Sequence, residues 1–110
     1  MKVNYTEKDM EHFLESVFRK YEIPFHHIPT RTYQSKAAQH SSLKYFPDYT
    51  FAWGGQFYMW ELGIKNANKD RKSKQWELMQ QWGKHGVQIR IILSMDALKE
   101  ALISLDGIPI

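Results

Sequence analysis

The chain has 110 residues, the size of one small domain, and we expect residues 1–110 to form it. Hydrophobic residues make up 43% of the sequence, which is enough for a core and excludes a wholly disordered chain. The net charge is a modest +3, and the absence of cysteine excludes disulfides and thiolate metal sites, as expected of a cytoplasmic protein. The sequence shows no apolar run long enough to span a membrane and no signal-peptide pattern, so no membrane partner is expected.

The first predicted element is a helix that begins after Thr6. Thr6 suits the N-cap position, and Asp9 completes a pattern close to a capping box. The helix has one apolar face, formed by Met10, Phe13, Leu14, Val17, Phe18 and Tyr21. Glu7 lies at the edge of that face, so we expect it to point inward, whereas Glu11 and Glu15 are expected to point progressively outward.

The middle of the chain is predicted to form a hairpin. After Pro24 the segment FHHI is expected to be short and extended, and the polar residues 30–45 are predicted to be a long loop. Two strands follow, over Tyr49–Trp53 and Phe57–Lys65, with Gly54-Gly55-Gln56 as the tight turn between them.

The last part of the chain alternates between helix and strand. Ser73 is predicted to cap a second helix that runs to Trp82 and ends at the glycines that follow. A β-branched strand is predicted over Val87–Leu93, and Ser94 or Asp96 is expected to open a last helix. This order of elements predicts an α/β fold in which a short mixed sheet is flanked by helices.

Two carboxylates are predicted to meet on the hairpin. Asp48 opens its first strand and Glu61 lies late in its second, and neighbouring hairpin strands bring such positions within several ångströms. Two carboxylates form a hard oxygen site suited to Mg²⁺ or Mn²⁺, and such a metal activates water and neutralises charge on a phosphate. Alternatively, Asp48 belongs to a turn-initiating Pro-Asp pair and Glu61 is a strand-end acid in solvent.

Other polar residues are candidates for a site near these carboxylates. Glu61, Gly63 and Lys65 share one face of the second strand because side chains alternate, and a lysine there can orient water or stabilise a transition state. Gln75 lies within the apolar face of the second helix, next to Met79, where a surface glutamine is not expected. It is either directed at a buried or phosphate-lined site or bonded to the local backbone at the helix start.

Residues 65–74, here called the basic segment, contain one acid and five basic residues, Lys65, Lys69, Arg71, Lys72 and Lys74. Such a cluster is typical of a surface that binds a polyanion such as nucleic acid. Taken alone, it also fits a solvated, lysine-rich loop.

The aromatic and histidine residues offer further candidates. The tryptophans are able to stack on bases. Trp60 and Trp82 are assigned to the core, whereas Trp53 and Trp76 are expected to be more exposed. The five histidines show no spacing typical of zinc ligands.

Together, the stretches YFPDYTFAW, MWELGIK and KSKQWELMQQWGKHGVQIRIIL resemble the PD-(D/E)xK nucleases, specifically the virus-type replication-repair nuclease domain. The resemblance covers roughly Thr6 to Leu102, and the family's motif residues match, in order, Glu7, Asp48, Glu61 and Gln75. It implies a restriction-endonuclease-like αβββαβ core. It also implies a metal-dependent endonuclease that acts on branched DNA, such as Holliday junctions or flaps, in replication, recombination or repair.

The resemblance also implies a role for each residue. Asp48 and Glu61, with the Leu62 carbonyl, would hold Mg²⁺ or Mn²⁺. Glu7 would complete the acidic site directly or through water, and Gln75 would position the metal-bound water or a phosphate. The basic segment would grip backbone phosphates. A homodimer is implied for a stand-alone domain this small, in the cytoplasm of a bacterial or phage-infected cell.

The sequence departs from the family pattern at one position, because the lysine of E-x-K is replaced by Gly63. Either Lys65, with a long side chain on the same face, has taken over its function, or the lysine has been lost, by divergence or by deliberate substitution. In the second case the chain is a module that binds metal and DNA with little cleavage. A third hypothesis, a protein-interaction domain without a nucleic-acid role, leaves the acidic residues and the basic segment as coincidence.

Overall fold

The computed structural model describes residues 5–28, 46–63 and 69–105, with side chains in the last range described from position 74 onward. The predicted loop over 30–45 and the predicted end of the second hairpin strand at Lys65 lie outside these residues. The described elements are, in chain order, helix α1 (Glu7–Lys20), strands β1 (Phe25–His27), β2 (Tyr49–Trp53) and β3 (Gln56–Leu62), helix α2 (Lys69–Gly83), strand β4 (Gln88–Ile92) and helix α3 (Met95–Ile103).

Helix α1 begins at the predicted capping box. The Thr6 N–H donates to Asp9 Oδ2 at 2.8 Å, and the Asp9 N–H donates to Thr6 Oγ1 at 3.1 Å. These two bonds satisfy amides that the first turn of a helix otherwise leaves without a partner. The capping box therefore fixes where α1 begins, and with it the position of Glu7 in the first turn.

The four strands form one mixed sheet in the order β1-β2-β3-β4. β1 and β2 pair antiparallel, β2 and β3 pair antiparallel, and β3 and β4 pair parallel. The predicted α/β class, with a short mixed sheet flanked by helices, is confirmed by these strands and the three described helices. None of the described helices combines the length and apolar character needed to cross a membrane.

The hairpin between β2 and β3 has a two-residue turn. Trp53 pairs with Gln56, so only Gly54 and Gly55 lie outside the ladder, with φ values of 59° and 77°. Positive φ at both central residues is the feature of a type I′ turn, which glycine adopts without the steric penalty of a Cβ atom. The turn fixes the β2–β3 register.

The main core lies between one face of the sheet and helices α1 and α3. Phe18 of α1 stacks on Phe25 and lies 4.8 Å, centroid to centroid, from Phe51. Leu98 and Leu102 of α3 are fully buried in the same cluster. The apolar spacing of α1 thus predicts its packing correctly.

Helix α2 packs against β4 on the other side of the sheet from Trp60. A Cβ atom placed on Gly83 would lie 3.3 Å from Ile89 Cδ1, so the helix end approaches the strand closely at this glycine. The prediction that α2 begins after Ser73 is wrong, because the helix begins at Lys69. No glycine or proline interrupts residues 69–74, and lysine and arginine are good helix formers, so the first turns extend through the basic segment.

The type I′ turn yields a stability prediction. Gly55→Ala is expected to lower the free energy of unfolding by about 1 kcal/mol, because alanine resists a left-handed conformation. No atom lies within 4 Å of the added Cβ, so the loss is a backbone effect. Urea unfolding measures it, with Gln56→Ala at the neighbouring exposed position as the control. Equal losses in the two variants would contradict the left-handed turn.

Candidate active site

Asp48 and Glu61 face each other across the hairpin. Tyr49 pairs with Trp60, and one step further along the antiparallel ladder Asp48 lies opposite Glu61. The Asp48 N–H donates to Glu61 Oε1 at 2.9 Å, and the Leu62 N–H donates to Asp48 Oδ2 at 3.0 Å. Each carboxylate is therefore held by the backbone of the opposite strand, and the predicted meeting of the two acids is observed.

Asp48 is buried and Glu61 is half-buried. The Asp48 residue is only 5% exposed, and burial raises its pKa to about 9, with the charge of Glu61 as the next cause. The hydrogen bond from Leu62 opposes this shift. Burial also raises the pKa of Glu61, against the opposing effect of its hydrogen bonds to Asp48 and Gln75. The pair therefore retains a proton at neutral pH, and a divalent cation that displaces this proton would relieve the same repulsion.

Gln75 and Glu7 reach the same place from two different helices. Gln75 of α2 is 3% exposed and its side chain hydrogen-bonds to Glu61, so the interpretation of this glutamine as a backbone-bonded surface residue is wrong. Glu7, in the first turn of α1, raises the pKa of both Asp48 and Glu61 through its charge. The fold thus gathers the four residues that the sequence singles out as an acidic site.

The donor set suits a hard divalent cation. Within residues 5–28, 46–63 and 69–105, no group of three or more His, Cys, Asp or Glu side chains is arranged to hold a metal ion. Mg²⁺ needs fewer protein ligands than that, because it keeps several waters and is commonly bound by one or two carboxylates plus substrate phosphates. Asp48 and Glu61 supply two carboxylates, and the hydrogen bond from Leu62 places that residue's backbone beside them.

The cationic part of the predicted site is only partly described. Lys65 and the side chains of Lys69, Arg71 and Lys72 lie outside the described residues, and the Lys74 side chain is exposed on α2. Lys69–Lys74 is helical, so that part of the basic segment is not the solvated loop that the sequence suggested. The phosphate-gripping role of these residues stays a prediction.

Gly63 continues the backbone pairing of β3. Its N–H donates to the carbonyl oxygen of Ile92 at 3.0 Å, and the residue is buried. By alternation from Glu61, a side chain at position 63 would start on the same face of the sheet as the two carboxylates. The chain carries glycine there, so the lysine of the E-x-K pattern has no counterpart at this position.

A second polar cluster, formed by Glu11, Glu15, His27 and Tyr49, lies between α1 and the first two strands. The Tyr49 hydroxyl donates to Glu15 Oε2 at 2.6 Å, and the His27 ring stacks on the Tyr49 ring at 4.3 Å between centroids. His27 Nε2 lies 3.2 Å from Glu11 Oε1, and its Nδ1 lies 3.4 Å from Glu15 Oε2. Burial, followed by the bond to Glu15, raises the pKa of Tyr49.

The prediction that Glu11 and Glu15 point progressively outward is therefore wrong. Both are half-buried and turn toward His27. The i, i+4, i+8 spacing of Glu7, Glu11 and Glu15 was the available signal, since residues so spaced share one side of a helix. The spacing alone does not show that β1 places His27 next to Glu11 and Glu15.

The tryptophans divide differently from the prediction. Trp60 is buried and Trp76 is 39% exposed, as expected. Trp82 is 43% exposed, so its assignment to the core is wrong, and Trp53 packs against the core rather than facing solvent. The ring of Trp82 makes an edge contact with Phe46, at 5.6 Å between centroids.

Comparisons of this chain with protein-family models, with curated proteins and with solved structures find no match.

Proposed function

We propose that the chain is a metal-dependent endonuclease that acts on branched DNA of the Holliday-junction or flap type. The observation that carries this proposal is the pair of buried Asp48 and half-buried Glu61, each carboxylate bonded to the backbone of the opposite strand, with Gln75 bonded to Glu61 and the charge of Glu7 acting on both. Buried carboxylates with strongly raised pKa values are costly for a fold and are concentrated at functional sites. These four are also the residues on which the resemblance to the PD-(D/E)xK nucleases depends.

The topology supports the same proposal. Helix α1 is followed by the antiparallel strands β1, β2 and β3, then by α2, and then by β4 parallel to β3. This order agrees with the αβββαβ core that the resemblance implies and so supports the proposal. Topology alone gives a fold and not an activity, so the functional argument rests on the site.

The proposed mechanism assigns a task to each described residue. Asp48 and Glu61, with the Leu62 carbonyl, would hold Mg²⁺ or Mn²⁺, and such an ion would supply Lewis-acid activation of water and neutralise charge on the phosphate. The Asp48 N–H fixes one Glu61 oxygen, and the Gln75 amide orients the same carboxylate. Glu7 adds negative charge that favours cation binding at this place.

The proposed partner is DNA, gripped through its phosphates by Lys69, Arg71, Lys72 and Lys74, with Lys65 as the cation beside the attacked phosphate. A cation or hydrogen-bond donor that acts on the transition state contributes about 10²–10³ in rate. We propose a homodimer as the working form, because two copies of the site would meet the two strands of a branch. The proposed location is the cytoplasm of a bacterial or phage-infected cell.

A second candidate function is a module of the same fold that binds metal and DNA without cutting. The observation that favours it is Gly63, which lies beside the carboxylates without a side chain. Such a module would show salt-dependent DNA binding and no turnover at any metal concentration.

The test of the proposed function is Mn²⁺-dependent cleavage of labelled four-way and flap DNA by three proteins. Wild type and Asp96→Asn, which changes an exposed acid on α3, are expected to cut alike. Asp48→Asn is expected to reduce cleavage by at least about 10²-fold, because it removes a metal-binding charge while its amide oxygen still accepts from Leu62.

Two outcomes would contradict the proposal. Equal cleavage by all three proteins would remove Asp48 from the mechanism. Binding without cleavage by wild type, across Mg²⁺ and Mn²⁺ concentrations, would favour the non-cutting module.

A further inference from the structure

A pair of aromatic rings, one exposed and one half-buried, lies beside the candidate active site. Trp82, in the last turn of α2, is 43% exposed, and its ring meets Phe46 edge to face at an interplanar angle of 82°. Phe46 directly precedes Pro47 and Asp48 in the chain, so the pair adjoins the backbone that carries the first carboxylate. We call Phe46 and Trp82 the aromatic step.

Helix geometry places the aromatic step on the same side of α2 as the site. Gln75, which bonds to Glu61, and Trp82 are seven residues apart, close to two full turns. They therefore share one stripe of the helix, separated by about 10 Å along its axis. That separation corresponds to about three nucleotides at the 3.4 Å rise of a stacked strand, and to fewer nucleotides in a strand that is extended.

The surroundings of Trp82 are polar and basic. Gln81, Lys84 and His85 line a shallow groove together with the indole, and all three are exposed. Lys84 adds a positive charge to the groove that the indole lines. An aromatic face beside a cation is the arrangement that proteins use to stack a base while holding its phosphate.

We propose that the aromatic step stacks one unpaired nucleobase of the DNA substrate close to the scissile phosphate. A paired base in duplex DNA presents only its edges, because its faces are covered by its neighbours, so the step requires a nucleotide that is out of the stack. This inference rests on the proposed nuclease function and deepens it. The substrate class becomes DNA with a single-stranded arm or unpaired nucleotides at the branch, in preference to a fully paired junction.

The test compares two tryptophans of one helix. Trp82→Ala removes the aromatic step, and Trp76→Ala is the matched control, because Trp76 is 39% exposed and lies about 120° away around α2. Binding is measured by fluorescence anisotropy of a labelled oligothymidine and of a fully paired hairpin duplex, with EDTA present so that no cleavage occurs. Circular dichroism checks that each variant is folded.

Trp82→Ala is expected to weaken oligothymidine binding by about tenfold and to leave duplex binding within about twofold, since stacking on one base accounts for an effect of this size. Trp76→Ala is expected to match wild type on both probes. Trp82→Phe, which keeps a ring and guards against a folding defect, is expected to retain most of the single-strand affinity.

The results separate this inference from the proposed function. Equal effects of Trp82→Ala on the two probes, equal losses in the two alanine variants, or no loss would overturn the aromatic step. Cleavage that depends on Asp48 but not on Trp82 would support the nuclease proposal and contradict the aromatic step. A single-strand preference that depends on Trp82, without cleavage, would support the step as a binding device and contradict the nuclease.

Discussion

Lys65→Ala is expected to lower Mn²⁺-dependent cleavage of branched DNA by about 10²-fold, and adding Gly63→Lys to that variant is expected to restore most of the rate. The reason lies in the alternation of side chains that the sequence predicts past the end of β3. If the chain stays extended beyond Leu62, positions 61, 63 and 65 fall on one face, and a cation at either of the last two would be directed toward the carboxylates.

The backbone at position 63 is held in the sheet. The Gly63 N–H donates to the Ile92 carbonyl oxygen, so the pairing with β4 extends through this residue and a side chain would start beside Glu61. A lysine that reached Asp48 and Glu61 would lower the pKa values of both acids, which burial raises. Lys20→Ala, at the far end of α1 from Glu7, is the control for a general loss of positive charge.

The single variants decide between the two candidate functions. Cleavage that is unchanged by Lys65→Ala but rises at least about tenfold in Gly63→Lys would mean that the loss of the lysine at position 63 has disarmed the enzyme. If wild type cuts and both variants cut at the same rate as wild type, a lysine on this face of the strand has no part in the mechanism. Rate constants are compared at saturating enzyme, so that weaker DNA binding does not pass for a slower chemical step.

The elements that the sequence predicted well are those set by local chemistry. The capping box of α1 depends on residues three apart, and the predicted start at Thr6 is observed. The start of α2 was predicted wrongly because Ser73 was taken as the N-cap. Residues 69–72 contain no glycine or proline that would stop the helix, so the helix begins before Ser73. The position of Trp82 depends on what covers the end of α2, which spacing along a helix does not reveal.

The length of the hairpin turn decides which residue of β3 lies opposite Asp48. A three-residue loop over Gly54-Gly55-Gln56 would pair Trp53 with Phe57 and place Leu62 opposite Asp48, which moves Glu61 to the other face of the sheet. The observed two-residue turn pairs Trp53 with Gln56 and so brings Glu61 opposite Asp48. The acidic pair was therefore predictable in kind from the sequence, while its register depends on a turn of two residues rather than three.

Asp48→Asn is expected to make the metal-free protein more stable at about pH 8 while it removes activity. The sign follows from the raised pKa of Asp48, about 9 in the folded protein against an ordinary value of 3.8. Between these two values the unfolded chain has released the proton that the folded chain keeps, so the wild-type free energy of unfolding falls as the pH rises. The upper limit for one proton is about 1.4 kcal/mol per pH unit.

Asparagine keeps the hydrogen bond from Leu62 and has no proton to lose, so the variant escapes this penalty. If the effect is half of the one-proton limit, the free energy of unfolding of the variant rises relative to that of wild type by about 2 kcal/mol from about pH 5 to about pH 8. Urea unfolding in EDTA at several pH values measures that difference, with Asp96→Asn as the exposed-acid control.

Added Mn²⁺ provides the complementary test, because metal binds the deprotonated pair and not the unfolded chain. Wild type is expected to gain stability on addition of Mn²⁺, increasingly so at higher pH, and Asp48→Asn is expected to gain much less. Stability curves for wild type and Asp48→Asn that run parallel against pH would contradict the retained proton. The same carboxylate would then be ordinary in the folded protein, and its burial would have to be explained by structure alone rather than by a site that trades stability for metal binding.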